Sequence, residues 1–200
     1  MRIRTRYWGL GVLVALAATL VLAVALPSSA SAQAQHVRWD IITLNGVPPG
    51  SLNPGGHASA TAANGGDTIT LTGSGTFVAP ASGGSSAATT GGGTWTTSSG
   101  GSGTYTATGL VSWVNAGPQT VATPPLIDNI DHGTRVNGTA VLRIAFSDGS
   151  EGVLTIGCHG TGAPPGIFEG IATTKGYTTY YNVPAPVPGV DAGRTNFHVR

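Results

Sequence analysis

The sequence predicts an all-β fold, with about eight to ten short antiparallel strands in one domain, arranged as a barrel or a sandwich. Three observations predict it. Apolar residues alternate with threonine and serine at a period of two, and Gly, Pro, Asn and Asp clusters punctuate these runs. No window after the first 32 residues places apolar side chains at helical spacing over ten or more positions. Without crossover helices, neighbouring strands should be antiparallel.

The first 32 residues have the pattern of a cleavable secretory signal. Arg2, Arg4 and Arg6 precede an uncharged apolar stretch at 10–26, and Ala30-Ser31-Ala32 forms a small-x-small cleavage site. We expect cleavage after Ala32, a single domain over 33–200, and a secreted protein in the extracellular or cell-envelope space. An uncleaved membrane anchor is the alternative, because the apolar stretch approaches the length of a membrane span.

Composition narrows the functions of the exported chain. Residues 33–200 carry six basic and eight acidic side chains, since three of the nine basic residues lie in the leader. This balance excludes the basic surface that nucleic-acid binding requires, and no second apolar run reaches membrane-spanning length. We therefore expect neither nucleic acid nor, after cleavage, a membrane as partner. The single cysteine excludes an intramolecular disulfide.

The strands follow from the alternation, element by element. Apolar residues or glycines at every second position of 69–77, 105–113 and 136–146 oppose a mostly Thr and Ser face in the first two runs. A turn at 147–150 joins the last run to 153–159, which predicts a hairpin. Shorter strands are predicted at 37–44, 58–63, 93–97, 168–174, 177–183 and 195–199, and a flexible Gly/Ser/Thr-rich loop at 82–93.

Cys158, His159 and Glu169 are the chemically notable residues of the later strands. Adjacent strand residues point to opposite faces, so Cys158 and His159 do not form a dyad. Cys158 shares a face with Leu154 and Ile156, which predicts a buried, inert thiol. Glu169 is either desolvated between Ile167 and Ile171, with a raised pKa, or exposed if its neighbours face inward. The five histidines show no metal-binding interval, so we expect no metal and no cofactor.

The connection at 115–135 concentrates polar chemistry in a charge-poor chain. It contains Asp128, Asp131 and His132, together with three prolines. Long connections are often functional. We expect either that Leu126, Ile127 and Ile130 plug one end of the fold while the aspartates brace backbone amides, or that the aspartates and His132 converge on a ligand.

A glycine-threonine-aromatic phrase recurs at 73–77, 93–95 and 103–105. With the segments 128–133 and 157–160, the run 73–113 resembles uncharacterised exported bacterial all-β proteins. The resemblance implies export and an all-β fold, and it carries over no activity and no functional residue.

Two functions remain from the sequence. The first is a non-enzymatic exported module that binds a small molecule or a glycan, with Tyr105, Trp113, Tyr177, Tyr180 or Tyr181 as aromatic platforms. The second is a cofactor-free enzyme that takes acid/base groups from Asp131, His132, Glu169 or His159. The absence of a nucleophile elbow, a paired-carboxylate motif and a phosphate loop favours the binding module. Its candidate site residues are Asp128, Asp131, His132, Glu169, Trp113 and Tyr105.

Overall fold

The predicted all-β class is confirmed. A computed structural model describes residues 34–45, 50–79, 88–121, 125–130, 133–182 and 193–200. These ranges contain strands and no helix: β1 (Gln35–Asn45), β2 (Ser51–Pro54), β3 (Ala58–Ala62), β4 (Thr68–Leu71), β5 (Ser74–Ala79), β6 (Thr89–Thr97), β7 (Ser102–Pro118), β8 (Ile127–Asp128), β9 (Thr134–Phe146), β10 (Glu151–Cys158), β11 (Gly170–Lys175), β12 (Thr178–Asn182) and β13 (Thr195–Val199). Within these ranges, no helix is long and apolar enough to cross a membrane.

The strands form one hydrogen-bonded sheet that divides into two arms at β9. On one side, β9 pairs with β7 along most of its length. On the other side, its residues from Gly138 onward pair with β10, whereas its first residues pair with β13. One arm continues through β11, β12, β3 and β4, the other through β1 and β5, and both end on β6. We call the gap between the arms the seam, defined by residues 158–160, 169–170 and 194–196.

A single core contains the apolar face that the alternation predicts. The predicted inward set of β9, from Val136 to Phe146 at every second position, is buried in full. Trp113 packs edge-on against Phe77 and Phe197, with ring centroids 5.5 and 4.7 Å away. The ring of Phe146 lies 5.8 Å from that of Trp95. These five aromatic side chains therefore form part of the buried core.

The predicted single strand at 69–77 is interrupted, because β4 and β5 are separated at Thr72 and Gly73. Gly73 has φ 147, a backbone conformation that favours glycine. Both short strands still pair with β6, so they form one bent line along it. The bend gives the two strands different neighbours on the side away from β6: β4 pairs with β3, whereas β5 pairs with β1.

The predicted loop at 82–93 is wrong for residues 89–93, which belong to β6. Gly91 and Gly92 have φ values of 99 and 149, and a Cβ on Gly92 would collide with the carbonyl oxygen of Tyr105. Here glycine permits close strand packing instead of breaking the strand. The remainder of that prediction, up to residue 87, falls outside the described residues.

The connection after β7 is shorter than predicted and covers the outer face of β13. Strand β7 extends to Pro118, and β9 begins at Thr134. Two short strands were not predicted: β2, and β8, which pairs with β2 in parallel. Ile127 is half exposed, which contradicts its predicted plugging role. Asp128 does brace a backbone amide, because its Oδ1 accepts a hydrogen bond of 3.1 Å from the Ile130 amide.

Candidate functional site

A cavity of about 220 Å³ opens at the seam. One wall is apolar and consists of Ile42, Leu44, Leu52 and Leu126. The polar lining comes from the strand ends that meet at the seam and includes Gln119, Arg135, His159, Glu169, Arg194 and Asn196. Among the described lining residues, two arginines and one acidic side chain, Glu169, border a partly apolar space. We call this space the seam cavity.

Glu169 joins the two arms of the sheet. Its Oε2 accepts a hydrogen bond of 2.6 Å from the His159 amide, after β10, and its Oε1 accepts one of 2.8 Å from the Thr195 amide, at the start of β13. Burial raises the pKa of the Glu169 carboxyl, and these two amide bonds together with the charge of Arg194 only partly oppose that shift. Of the two environments predicted for Glu169, the desolvated one with a raised pKa is therefore the one in the structure.

A chain of hydrogen-bonded polar side chains runs beside the cavity. It lies between β13 and the connection after β7, which covers β13. Nε2 of His198 lies 2.8 Å from Oδ2 of Asp128, and Nδ1 lies 3.2 Å from Nδ2 of Asn196. An amide nitrogen only donates, so in the neutral imidazole Nδ1 accepts and Nε2–H donates to Asp128. Gln119 Nε2 lies 3.1 Å from Asn196 Oδ1 and 3.2 Å from the sulfur of Cys158.

Arg135 is the polar residue of the cavity whose hydrogen-bonding capacity is incompletely used. Its Nε lies 3.7 Å from Asp128 Oδ2, at the outer limit of an ion pair. Its Nη1 is buried and has no hydrogen-bond partner. A buried donor without an acceptor costs about 1–3 kcal/mol, so the guanidinium of this cavity-lining residue keeps donor capacity that its protein contacts do not use.

Cys158 is buried, as predicted, on the same side as Leu154 and Ile156. Burial is the main cause that raises the pKa of its thiol, with the charge of Glu169 adding to it. His159 is exposed on the other side, and its Nδ1 lies 2.6 Å from the Ile167 carbonyl oxygen. The two residues form no thiolate–imidazole pair, so the seam cavity lacks an activated sulfur nucleophile.

The structure brings only some of the predicted site residues together. Glu169 lines the seam cavity, and Asp128 contacts Arg135 and His198 beside it. Asp131 and His132 lie outside the described residues. Tyr105 and Trp113 are core residues, 3% and 2% exposed; the hydroxyl of Tyr105 donates to the Thr72 carbonyl and the indole of Trp113 to Gln35. Neither ring therefore offers the open face proposed for a ligand platform.

Tyr180 is buried as well, whereas Tyr177 and Tyr181 are 108% and 56% exposed. The hydroxyl of Tyr180 donates a hydrogen bond of 2.9 Å to Asp67, and burial with this carboxylate raises its pKa to about 12.

In the part of the chain that the structure describes, no group of three or more His, Cys, Asp or Glu side chains is arranged to hold a metal ion.

Sequence reasoning missed Gln119, Arg135, Arg194, Asn196 and His198. The signal available for the last two was a pair of polar residues at i and i+2 in a charge-poor strand. Alternation places such residues on the solvated face, and only the covering connection makes that face buried.

No family model, no curated protein and no solved structure matches this chain.

Proposed function

We propose that the protein is an exported, non-enzymatic binding module that holds a small anionic ligand with an apolar part in the seam cavity. The leader pattern of residues 1–32 supports export. The observation that carries the ligand class is the guanidinium of Arg135, which lines the cavity and whose Nε lies 3.7 Å from the Asp128 carboxylate, at the outer limit of an ion pair. A guanidinium presents its donors in a fixed planar fork that matches a carboxylate or a phosphate.

The remaining lining supports the same ligand chemistry. Arg194 adds a second positive charge, while Glu169, the one carboxyl among the described lining residues, is desolvated and engaged by two backbone amides. The wall of Ile42 and three leucines favours an apolar body on the ligand. The volume of about 220 Å³ lies below the range of about 300–1,000 Å³ for drug-sized ligands. A short-chain carboxylic acid fits this combination.

Binding is better supported than catalysis. The alternative, a cofactor-free enzyme, would use Glu169 as the acid or base, because its pKa is raised. Both of its oxygens already accept backbone amides, and the neighbouring imidazole of His159 bonds a carbonyl oxygen instead of Glu169. Glu169 is therefore occupied in connecting strands, and the described lining of the cavity offers recognition groups without a reactive pair.

Thermal melts with hexanoate, inorganic phosphate and uncharged hexanol test this function. We expect hexanoate to raise the melting temperature of the wild type in a concentration-dependent manner, and hexanol to raise it less. Arg135→Gln should abolish the hexanoate effect, because it removes the guanidinium. The matched control is Arg143→Gln, on the exposed face of the same strand β9, which should retain it. Lack of stabilisation by both anions, or an equal response of Arg135→Gln, contradicts the proposal.

A further inference from the structure

A second surface feature, independent of the seam cavity, is a shallow groove at the β11–β12 hairpin. It measures about 350 Å³, and Tyr177 and Tyr181 line it together with Asn64, Thr178 and Thr179. Tyr177 stands at the tip of the two-residue turn between Lys175 and Thr178, where Gly176 has φ 56. Both tyrosine rings are thus presented to solvent by a tight hairpin, and because a tyrosine side chain has only two torsion angles it loses little conformational freedom on binding.

The chemistry of the groove is hydroxyl, amide and aromatic, without charge. None of the seven lining residues that the structure describes carries a charged side chain. Lys175 is the cation closest in sequence to Tyr177, and its ammonium pairs with Asp148 and lies 4.3 Å from the centre of the Trp95 ring. This lysine is therefore occupied away from the tyrosines. A nucleic acid or an acidic polymer would find no countercharge in the groove.

The groove continues onto a face of hydroxyl groups. Thr61 on β3 is the register partner of Tyr181 on β12. From Thr61 the outer face of the sheet carries hydroxyl pairs that bridge neighbouring strands: Thr61–Thr68, Ser59–Thr70 and, farther along β4 and β6, Thr72–Thr94, at 3.4, 2.8 and 2.7 Å. Each hydroxyl has both a donor and acceptor lone pairs, so groups outside the sheet can still be hydrogen-bonded.

We propose that this groove and the hydroxyl face beside it bind a neutral polysaccharide. Sugar rings have apolar C–H faces, which pack against aromatic rings, and peripheral hydroxyls, which exchange hydrogen bonds with Thr and Asn side chains. The extended row from Tyr177 across Tyr181 to the hydroxyl pairs suits a linear chain of such units. A protein partner is disfavoured because this surface lacks the large aliphatic patch of a protein–protein interface core.

Depletion of the protein from solution by particulate cellulose, chitin and starch tests the proposal, with alginate beads as the acidic counterpart. We expect at least one neutral polymer to bind and alginate not to bind. Tyr177→Ala and Tyr181→Ala should each weaken binding about ten-fold, since each removes one stacking ring. Tyr177→Phe and Tyr181→Phe keep the ring and should retain most of the affinity.

Val114→Ala is the control variant outside the groove. Val114 is an exposed apolar residue of β7, and its replacement should leave binding unchanged. Binding to none of the three neutral polymers, binding to alginate alone, or binding by both alanine variants as tight as that of the wild type would each overturn the proposal. Hexanoate melts of the same alanine variants report on the seam cavity separately. A failure of either proposal is therefore distinguishable from a failure of the other.

Discussion

The Nε2 atom of His198 on β13 lies 2.8 Å from Oδ2 of Asp128, and His198 is fully buried. This contact fastens the covering connection after β7 to the outer face of the sheet. Asp128 also accepts a hydrogen bond from the Ile130 amide and lies 3.7 Å from Arg135, so one carboxylate serves two hydrogen bonds and one long ion pair. Asp128 therefore helps to hold in place the connection that contributes Gln119 and Leu126 to the lining of the seam cavity.

Replacing Asp128 with alanine should destabilise the protein by about 1–3 kcal/mol, because the buried Nε2–H of His198 loses its acceptor. Asp128→Asn keeps one oxygen and should cost less. Chemical denaturation followed by tryptophan fluorescence measures both changes. Asp148→Asn, which removes the exposed partner of Lys175, is the control and should shift the midpoint least. Unchanged unfolding of Asp128→Ala would show that the contact contributes nothing.

The thiol of Cys158 should resist a thiol-specific reagent in the folded protein and react fully after denaturation. Burial raises the pKa of this thiol, so the reactive thiolate is scarce at neutral pH. Cys158→Ser should cost about 1–3 kcal/mol, since its hydroxyl hydrogen requires an acceptor whereas the Gln119 amide nitrogen beside the sulfur is a donor. Cys158→Ala leaves only a small cavity and should cost a similar amount or less. Rapid labelling of the native protein at neutral pH would contradict this prediction.

The leader gives a prediction that concerns export. Sequencing the amino terminus of the secreted protein should give Gln33 or a residue within two positions of it, because Ala30-Ser31-Ala32 has the small-residue pattern of a cleavage site. Replacing Ala32 with a bulky residue should slow processing and leave the longer chain with the cells. Secretion of a protein that retains Met1 would overturn the assignment of a cleavable signal.

The sequence predicts the strands well because their information is local. Alternation identifies the inward residues of β9 and the burial of Cys158 without knowledge of which strands are neighbours. It fails where burial has a non-local cause. Asn196 and His198 occupy outward positions of β13 and are buried only because a connection some seventy residues earlier in the chain covers them. Arg135 belongs to the seam cavity for the same reason, since strand pairing alone brings it there.

Glu169 illustrates the same limit for a pKa. Its local sequence left both an exposed and a desolvated carboxyl open, and the choice depends on β13, which approaches from the end of the chain. Two effects then compete at the carboxyl. Burial raises its pKa, whereas the His159 and Thr195 amides and the charge of Arg194 lower it, and burial prevails. The folded protein therefore holds a proton on Glu169 more tightly than the unfolded chain does.

This competition predicts a specific pH dependence of stability. The contribution of Glu169 is most favourable when the carboxyl is protonated in both states, and it is lost as the pH rises from the ordinary value near 4.5 through the raised pKa of the folded state. Glu169→Gln cannot ionise, so its free energy of unfolding should lack this decline as the pH rises above about 5. Above about pH 5, Asp67 and Asp148, whose pKa values are lowered to about 2, are ionised in both states and contribute no slope. Urea unfolding across this range measures the difference, with exposed Glu151→Gln, on β10, as the control that keeps the wild-type slope. Parallel pH profiles for the wild type and Glu169→Gln would mean that the amide bonds offset burial completely, and the seam carboxyl would then be ionised throughout.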